Sequence, residues 1–328
     1  VYKRQASHNP PEYNGLKFCL AGAAPVGEET GLRTIKEFAV VSRPTAANPG
    51  SADDVGILEG YVDHLFTVVD AGAFAALTVA ADGGNGMAGV ALPSVFERIP
   101  AKLIGLYLEP DGTFPTVVYP NPEESEAMSL ALEEAEKLNA DIVMATDPDA
   151  DRVGIAVKNH HGKFQLLNGN QTGSLIVYYL IRRWKENNKL DGDQFIVKTI
   201  VTTDIIHRIA EKYQVEYFDT LTGFKYIAEV IRKLEGQKQF IGGGEESYGY
   251  MIGDFVRDKD AIASCMVIAE MTAWAKDQSK SLMDILIDMY VEFGFYKEKL
   301  ISIVKKGMSG AREIEKMMVQ LRENPPSE

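Results

Sequence analysis

Two short apolar runs, Ala140–Thr146 and Val153–Val157, flank the hexapeptide Asp147-Pro-Asp-Ala-Asp-Arg152. Each run reads as a buried strand. The link between them is short and carries three carboxylates at alternate positions, Asp147, Asp149 and Asp151. In an extended segment that spacing turns all three to one side. Like charges so close repel unless a cation sits among them. Hard oxygen ligands on a short loop suit Mg²⁺ or Ca²⁺, and Arg152 adds a fixed positive charge suited to phosphate. An EF-hand also begins D-x-D-x-D, but its sixth and twelfth places here hold Arg152 and Lys158 rather than Gly and Glu. A solvated acidic turn is the competing reading.

Strand–helix alternation around this loop argues for α/β units. Glu59–Val69 has helical spacing, Leu77–Ala81 reads as a strand, and Asp82-Gly-Gly-Asn-Gly86 as a tight strand-to-helix turn. Lys102–Leu108 is a further strand. Asn121-Pro-Glu-Glu124 reads as a helix start with Asn121 as N-cap, and Met128, Leu132, Ala135 and Leu138 as the helix's buried stripe. Downstream, a helix through Trp184, a strand over Phe195–Val201, a helix over Thr203–Tyr213 and a strand over Val215–Phe218 continue the alternation. Phe240-Ile241 is a short strand, and Gly242-Gly-Gly-Glu-Glu-Ser-Tyr-Gly249 a sharp polar turn. Two long helices follow, Ala261–Ala275 and Leu282–Phe293, and a tail from Lys305 shows no closing element. Residues 43–56 read as a linker or surface loop, and His160 and His161 as exposed members of a hairpin turn.

The 328 residues suffice for two or three domains, and 45% apolar with 25% charged residues is ordinary for a soluble protein. A formal charge of −13 argues against a nucleic-acid partner. Two distant cysteines, Cys19 and Cys265, give no disulfide framework, so a reducing cytoplasm is the default. No apolar run has transmembrane length, so no membrane partner is expected. No obligate protein partner is predicted.

Several polar residues qualify as chemical groups. Ser7, followed by His8, Asn9 and two prolines, lies on a turn where its hydroxyl is a candidate nucleophile, although structural turns of this kind are commoner. Lys17 is a candidate acid/base or phosphate ligand. Lys225 sits in the first turn of a helix after Thr220-Leu-Thr222-Gly223, where a positive charge opposes the helix dipole unless an anion visits. Glu245, Glu246 and Ser247 carry the acceptors and hydroxyl suited to reading sugar hydroxyls, and Arg257 and Lys259 add nearby cations. Val1-Tyr-Lys-Arg-Gln5 matches one reading frame of a common sequencing-library transposon end, so these five residues are expected to be foreign to the natural chain.

Taken in order, Ala6-Ser-His-Asn-Pro to Lys17, Asp147 to Arg152, Thr220 to Lys225 and Gly244 to Ser247 resemble the phosphoserine, metal, T-x-T-G-x-K and sugar loops of the α-D-phosphohexomutase superfamily. Pro148 and Ala150 stand where many members have glycine. The resemblance implies successive α/β domains, mixed sheets flanked by helices around a cleft, truncated at both ends. It divides the chain into a remnant of domain I (1–56), domain II (57–165), domain III (166–298) and a linker or start of a C-terminal phosphate-binding domain (299–328). It implies that Ser7 carries a phosphoryl group. Asp147, Asp149, Asp151 and a phosphoserine oxygen hold Mg²⁺. Ser7, His8, Lys17 and Lys225 form the catalytic set, and Arg152, Thr222, Gly223, Glu245, Glu246, Ser247, Arg257 and Lys259 the substrate-binding set. Glucose 1,6-bisphosphate is the implied activator and a hexose phosphate the small-molecule partner. Residues 6 to about 115 resemble actinobacterial phosphomannomutases and the remainder the phosphoglucomutase branch, as in a chimera or a divergent member. Glucose phosphate is the expected substrate, with mannose phosphate next. A metal-dependent phosphatase and a sugar-phosphate-binding fragment without turnover are the readings outside the mutases.

Overall fold

The computed structural model describes residues 2–3, 7, 15–41, 50–51, 53–74, 77–117, 120–300, 303, 305 and 307–325. Residues Val1–Tyr296 form one compact unit and Lys297–Glu328 another. In the first unit, β1 (Tyr2–Lys3) pairs antiparallel with β2 (Lys17–Phe18), and α1 (Leu32–Val41) follows with no buried residue. Then come α2 (Leu58–Val68), β3 (Leu77–Asp82), α3 (Ala88–Phe96), β4 (Ala101–Leu106), α4 (Ser125–Lys137), β5 (Ile142–Thr146), β6 (Val153–Lys158) and β7 (Phe164–Leu167).

These five strands make a mixed sheet in the order β4-β3-β5-β6-β7. The first three are parallel, joined through α3 and α4. The last three are antiparallel, because the aspartate loop and the Asn159–Lys163 turn are too short for a crossover. β5 is buried on both faces. Ile142 and Met144 enter the main core, while Val143 and Ala145 face Met128, Ala131 and Ala135 of α4. That is the alternation expected of a strand covered on both sides.

A second sheet follows α5 (Gly169–Glu186). It contains β8 (Gln194–Thr199), β9 (Glu216–Thr220), β10 (Gln239–Gly244) and β11 (Tyr250–Ile252), in the order β11-β10-β8-β9. Helices α6 (Ile205–Tyr213) and α7 (Phe224–Leu234) make the crossovers. Phe224, Ile227 and Ile231 of α7 seat against Phe195, Val197 and Phe240. Each such side chain contributes about 1.5–3 kcal/mol of burial. Two mixed sheets flanked by helices are the α/β architecture that the sequence predicts.

Helix α8 (Ala261–Asp277) lies in the core shared by both sheets, and α9 (Leu282–Phe293) follows it. Fourteen of the α8 residues are buried, so it is apolar all round rather than striped. Its buried polar groups are paired. Ser264 and Thr272 donate to the carbonyls of Asp260 and Ile268, and Glu270 accepts from the Asp70 amide. Asp260 caps its N-terminus through the Ala263 amide at 3.0 Å and accepts from the Tyr61 hydroxyl at 2.7 Å.

Four local expectations are corrected. Asn121 does not cap α4. Its side chain accepts from the Glu123 amide in a local turn, and the helix begins at Ser125, beyond Glu124. The stripe of α4 adds Ala127 and Ala131 to Met128, Ala135 and the part-buried Leu132, and Leu138 is exposed because the helix has already ended. Gly242, Gly243 and Gly244 are strand residues, not a turn. A side chain on Gly243 would meet the Val197 carbonyl at 1.8 Å, so it is closeness to β8 that demands glycine. In the second unit the tail does contain an element, the helix α10 (Gly307–Glu323). Among the described residues no helix is long and apolar enough to cross a membrane.

Candidate active site

The loop between β5 and β6 is a tight turn rather than an extended run. The Ala150 amide donates to the Asp147 carbonyl at 2.9 Å, and Ala150 itself takes φ 55°. The three carboxylates converge because the chain folds back, not because residues alternate along a strand. One oxygen from each of Asp147, Asp149 and Asp151 lies within 4.8 Å of the others. Asp147 is fully buried, and its Oδ1 accepts from the amides of Asp151 and Arg152 at 3.0 and 2.9 Å. Its Oδ2 accepts from the Ser7 hydroxyl at 2.8 Å, and Ser7 is held at φ 58°. Burial, and next the Asp151 carboxylate, push Asp147 up to about 6 despite these hydrogen bonds.

The turn rests on the Asp82–Gly86 segment. The Met87 amide donates to the Pro148 carbonyl at 2.8 Å, and Gly86 lies so close beneath Pro148 that a Cβ would sit 2.3 Å from its Cα. The glycine-rich stretch is a tight turn, as its sequence indicates, and its glycines admit the aspartate loop. Asp82, almost fully buried, accepts from the Gly84 amide at 2.8 Å, and burial pushes it up to about 6.

Cations surround the acidic group. Lys259 Nζ lies 3.0 Å from both Asp151 and Asp258, and Lys17 Nζ 3.4 Å from Asp151 and 3.6 Å from Asp258. Burial pulls Lys259 down, but Asp258 and Asp151 outweigh it and raise the ammonium above its ordinary range. These groups open onto a cavity of about 630 Å³ lined by Lys17, Asp149, Asp151, Gly223, Lys225, Arg257 and Lys259, among others. Three carboxylates and a serine hydroxyl are an all-oxygen donor set, which fits a hard divalent cation.

The remaining expected site residues fall into distinct positions. Lys225 is exposed in the first turn of α7, with its Nζ 4.7 Å from the Tyr226 ring centre. Thr222 is exposed just before Gly223. Glu245 is buried, and its carboxylate accepts from the Gly223 amide at 2.5 Å. Burial raises its pKa, while that amide and Lys259 pull it down. Arg257 lines the cavity but pairs with Glu235 at 2.6 Å. Arg152 turns to Glu123 at 3.0 Å and donates to the Ser247 carbonyl at 3.3 Å, so it bridges the two loops. His8 lies outside the described residues.

Sequence reasoning passed over two features. Glu123 is one, visible beforehand only as a first-turn acid. The other is Lys198-Thr-Ile-Val-Thr202 at the end of β8, whose hydroxyls meet Glu246. A lysine and two threonines inside an apolar run are the available signal, since such groups stay buried only with partners.

The family models described as "Phosphoglucomutase/phosphomannomutase, alpha/beta/alpha domain II" and the corresponding domain III match residues 59–162 and 168–293. A phosphoglucomutase from Staphylococcus haemolyticus is 31% identical over 334 residues, covering 98% of this chain and 60% of that protein. This chain thus spans about 60% of the length of that relative. Among solved structures, a Thermus thermophilus protein assigned as a phosphomannomutase superposes with TM-score 0.73 at 25% identity. The match covers 89% of this chain and 63% of that one. The Paramecium phosphoglucomutase parafusin shares the fold, with TM-score 0.68 at 20% identity over 89% of this chain and 56% of its own. With its two mixed sheets and its acidic turn, this chain belongs to the phosphoglucomutase/phosphomannomutase family, within the α-D-phosphohexomutase superfamily.

Proposed function

We infer that this chain carries phosphohexomutase chemistry, interconverting glucose 1-phosphate and glucose 6-phosphate through a phosphoserine at Ser7. The observation that carries this reading is the 2.8 Å contact between the Ser7 hydroxyl and Asp147, one of three convergent carboxylates. A nucleophilic hydroxyl beside a hard-cation donor set is the equipment of phosphoryl transfer.

Asp147, Asp149 and Asp151 would hold Mg²⁺, which when bound offsets charge on the phosphoryl group. The phosphoryl passes from Ser7 Oγ to a free sugar hydroxyl. The P–O bond to serine breaks and the P–O bond to the sugar forms, while the sugar hydroxyl's proton goes to a base and Ser7 Oγ takes up a proton as it leaves. The product is a 1,6-bisphosphate, which turns over and returns its other phosphate to Ser7. Lys17 and Lys225 line the cavity and are the described candidates for acid/base work, with His8 the third. Glu245 and Ser247 are assigned to the sugar hydroxyls, and the cavity cations Arg257 and Lys259 to phosphate. Glucose is preferred because the Gly244–Tyr250 stretch resembles the phosphoglucomutase branch and the staphylococcal relative is a phosphoglucomutase. The Thermus neighbour keeps mannose phosphate as the rival.

The test is phosphorylation of this chain by glucose 1,6-bisphosphate with Mg²⁺, read by mass spectrometry, beside conversion of glucose 1-phosphate and mannose 1-phosphate. Phosphate on Ser7, absent in Ser7→Ala, is expected. A chain that accepts no phosphate at Ser7 from glucose 1,6-bisphosphate would refute the reading. Conversion of mannose 1-phosphate alone would reassign the substrate.

A further inference from the structure

The second glutamate of the Gly244–Ser247 loop does not point into the cavity that the acidic turn lines. Glu246 Oε2 accepts from the hydroxyls of Thr202 at 3.0 Å and Thr199 at 3.2 Å. The Glu246 amide in turn donates to Thr202 Oγ1 at 3.2 Å, and the two threonine hydroxyls lie 2.8 Å apart. Both threonines are buried, with 0% and 4% exposure. Beneath them Lys198, 2% exposed, donates to the carbonyls of Thr199 at 3.3 Å and Thr202 at 3.0 Å and pairs with Asp204 and Asp219. One ammonium thus pins both ends of the Thr199–Thr202 turn. From the other side Gly169, at the start of α5, lies where any Cβ would meet the Glu246 carbonyl at 1.8 Å.

This arrangement is costly unless it has a use. A lysine and two hydroxyls are withdrawn from water, a half-buried carboxylate closes over them, and the buried groups stay only because they are paired. What they fix is the backbone of Glu245 and Ser247 on either side. Glu245 is stapled in addition to the Gly223 amide, in the turn between β9 and α7.

We propose that Lys198, Thr199 and Thr202 are positioning residues that clamp the Glu246 carboxylate and thereby set the register in which Glu245 and Ser247 meet the sugar. Glu246 is on this account an anchor and not a sugar ligand, which replaces the role expected from its sequence. The proposal rests on the hexose-phosphate reading for its sugar half, and on geometry alone for its clamp.

The experiment uses this chain and its Thr202→Val, Thr202→Ser, Glu246→Ala and Thr202→Val/Glu246→Ala variants. Two quantities are read: amide hydrogen exchange at Gly223, Glu245 and Glu246, and glucose 1-phosphate affinity by calorimetry with Mg²⁺. Thr202→Val should speed exchange at these amides and weaken sugar-phosphate binding, each about tenfold, the scale of losing hydrogen bonds to a charged group. Exchange in β6 should not change. Thr202→Ser, which keeps the hydroxyl, should restore both. In the double variant the two losses should not add, because each removes the same clamp. Additive losses would make Glu246 an independent sugar contact and overturn its role as anchor. Unchanged loop exchange in Thr202→Val would overturn the clamp. Faster loop exchange in a chain that binds neither glucose 1-phosphate nor mannose 1-phosphate would support the clamp while overturning the proposed function.

Discussion

Replacing Gly86 by alanine probes the support of the acidic turn without touching a carboxylate. The backbone there has no positive φ, so alanine is conformationally allowed and only space is at issue. The new Cβ would lie 2.3 Å from Pro148 Cα and 2.5 Å from its carbonyl oxygen, where ordinary contact begins at 3.4 Å. These are backbone atoms and cannot rotate away, so the turn must retreat by about 1 Å. Overpacking of this kind costs about 1–3 kcal/mol. The Met87–Pro148 hydrogen bond goes with it, at about 1 kcal/mol. The stiffer unfolded chain returns about 0.4–1 kcal/mol. The net loss is about 2 kcal/mol, a drop of a few degrees in Tm for a chain of this size. Displaced donors should weaken divalent-cation affinity about 10–100-fold, as loss of outer support does elsewhere. Calorimetric unfolding and Mn²⁺ titration read the two effects, with Gly112→Ala as control because nothing lies within 4 Å of that position. A Gly86→Ala chain with the stability and cation affinity of the parent would refute the argument that glycine is required here by contact with the turn.

Two further outcomes follow from individual carboxylates, the buried Asp82 and the half-buried Glu123. Asp82 is raised by burial to about 6, so the fold favours its neutral form. Its contribution is full below the ordinary Asp value near 3.8 and is lost as pH rises through about 6, a swing of about 3 kcal/mol. Asp82→Asn should therefore be more stable than the parent at pH 7 and nearly equal to it at pH 4, and a difference flat across denaturant titrations from pH 4 to 8 would exclude this. Glu123→Gln should cost about 1–2 kcal/mol by leaving Arg152 short of a charged partner. Paired Tm measurements on Glu123→Gln and Arg152→Met should show that the two changes do not add, and additive losses would dissolve the pair.

The fold was legible wherever one residue type decides the local outcome. Short apolar runs marked β5 and β6, and the helical spacing over Glu59–Val69 marked α2. The acidic trio was legible as a group, yet the reason for its convergence was not. Alternation suggested an extended run, whereas a left-handed Ala150 folds the chain back. The glycines of β10 misled for a related reason. Glycine permits both a turn and a close approach, and only the neighbouring strand reveals which is needed. Glu123, Thr199 and Thr202 were illegible because their partners lie 29, 47 and 44 positions away in sequence.

The acidic turn and the Gly244–Tyr248 loop are also joined through main chain. The Val153 amide donates to the Tyr248 carbonyl at 3.0 Å, while the Ala261 amide at the start of α8 holds the Ala150 carbonyl of the turn at 3.0 Å. Main-chain bonds of this kind survive nearly every side-chain substitution. The gap between the two loops therefore works as a fixed gauge: mutation can repaint its jaws far more easily than reset its width. Divergence in this chain would then alter which groups line the opening while leaving the size of molecule it can span the same.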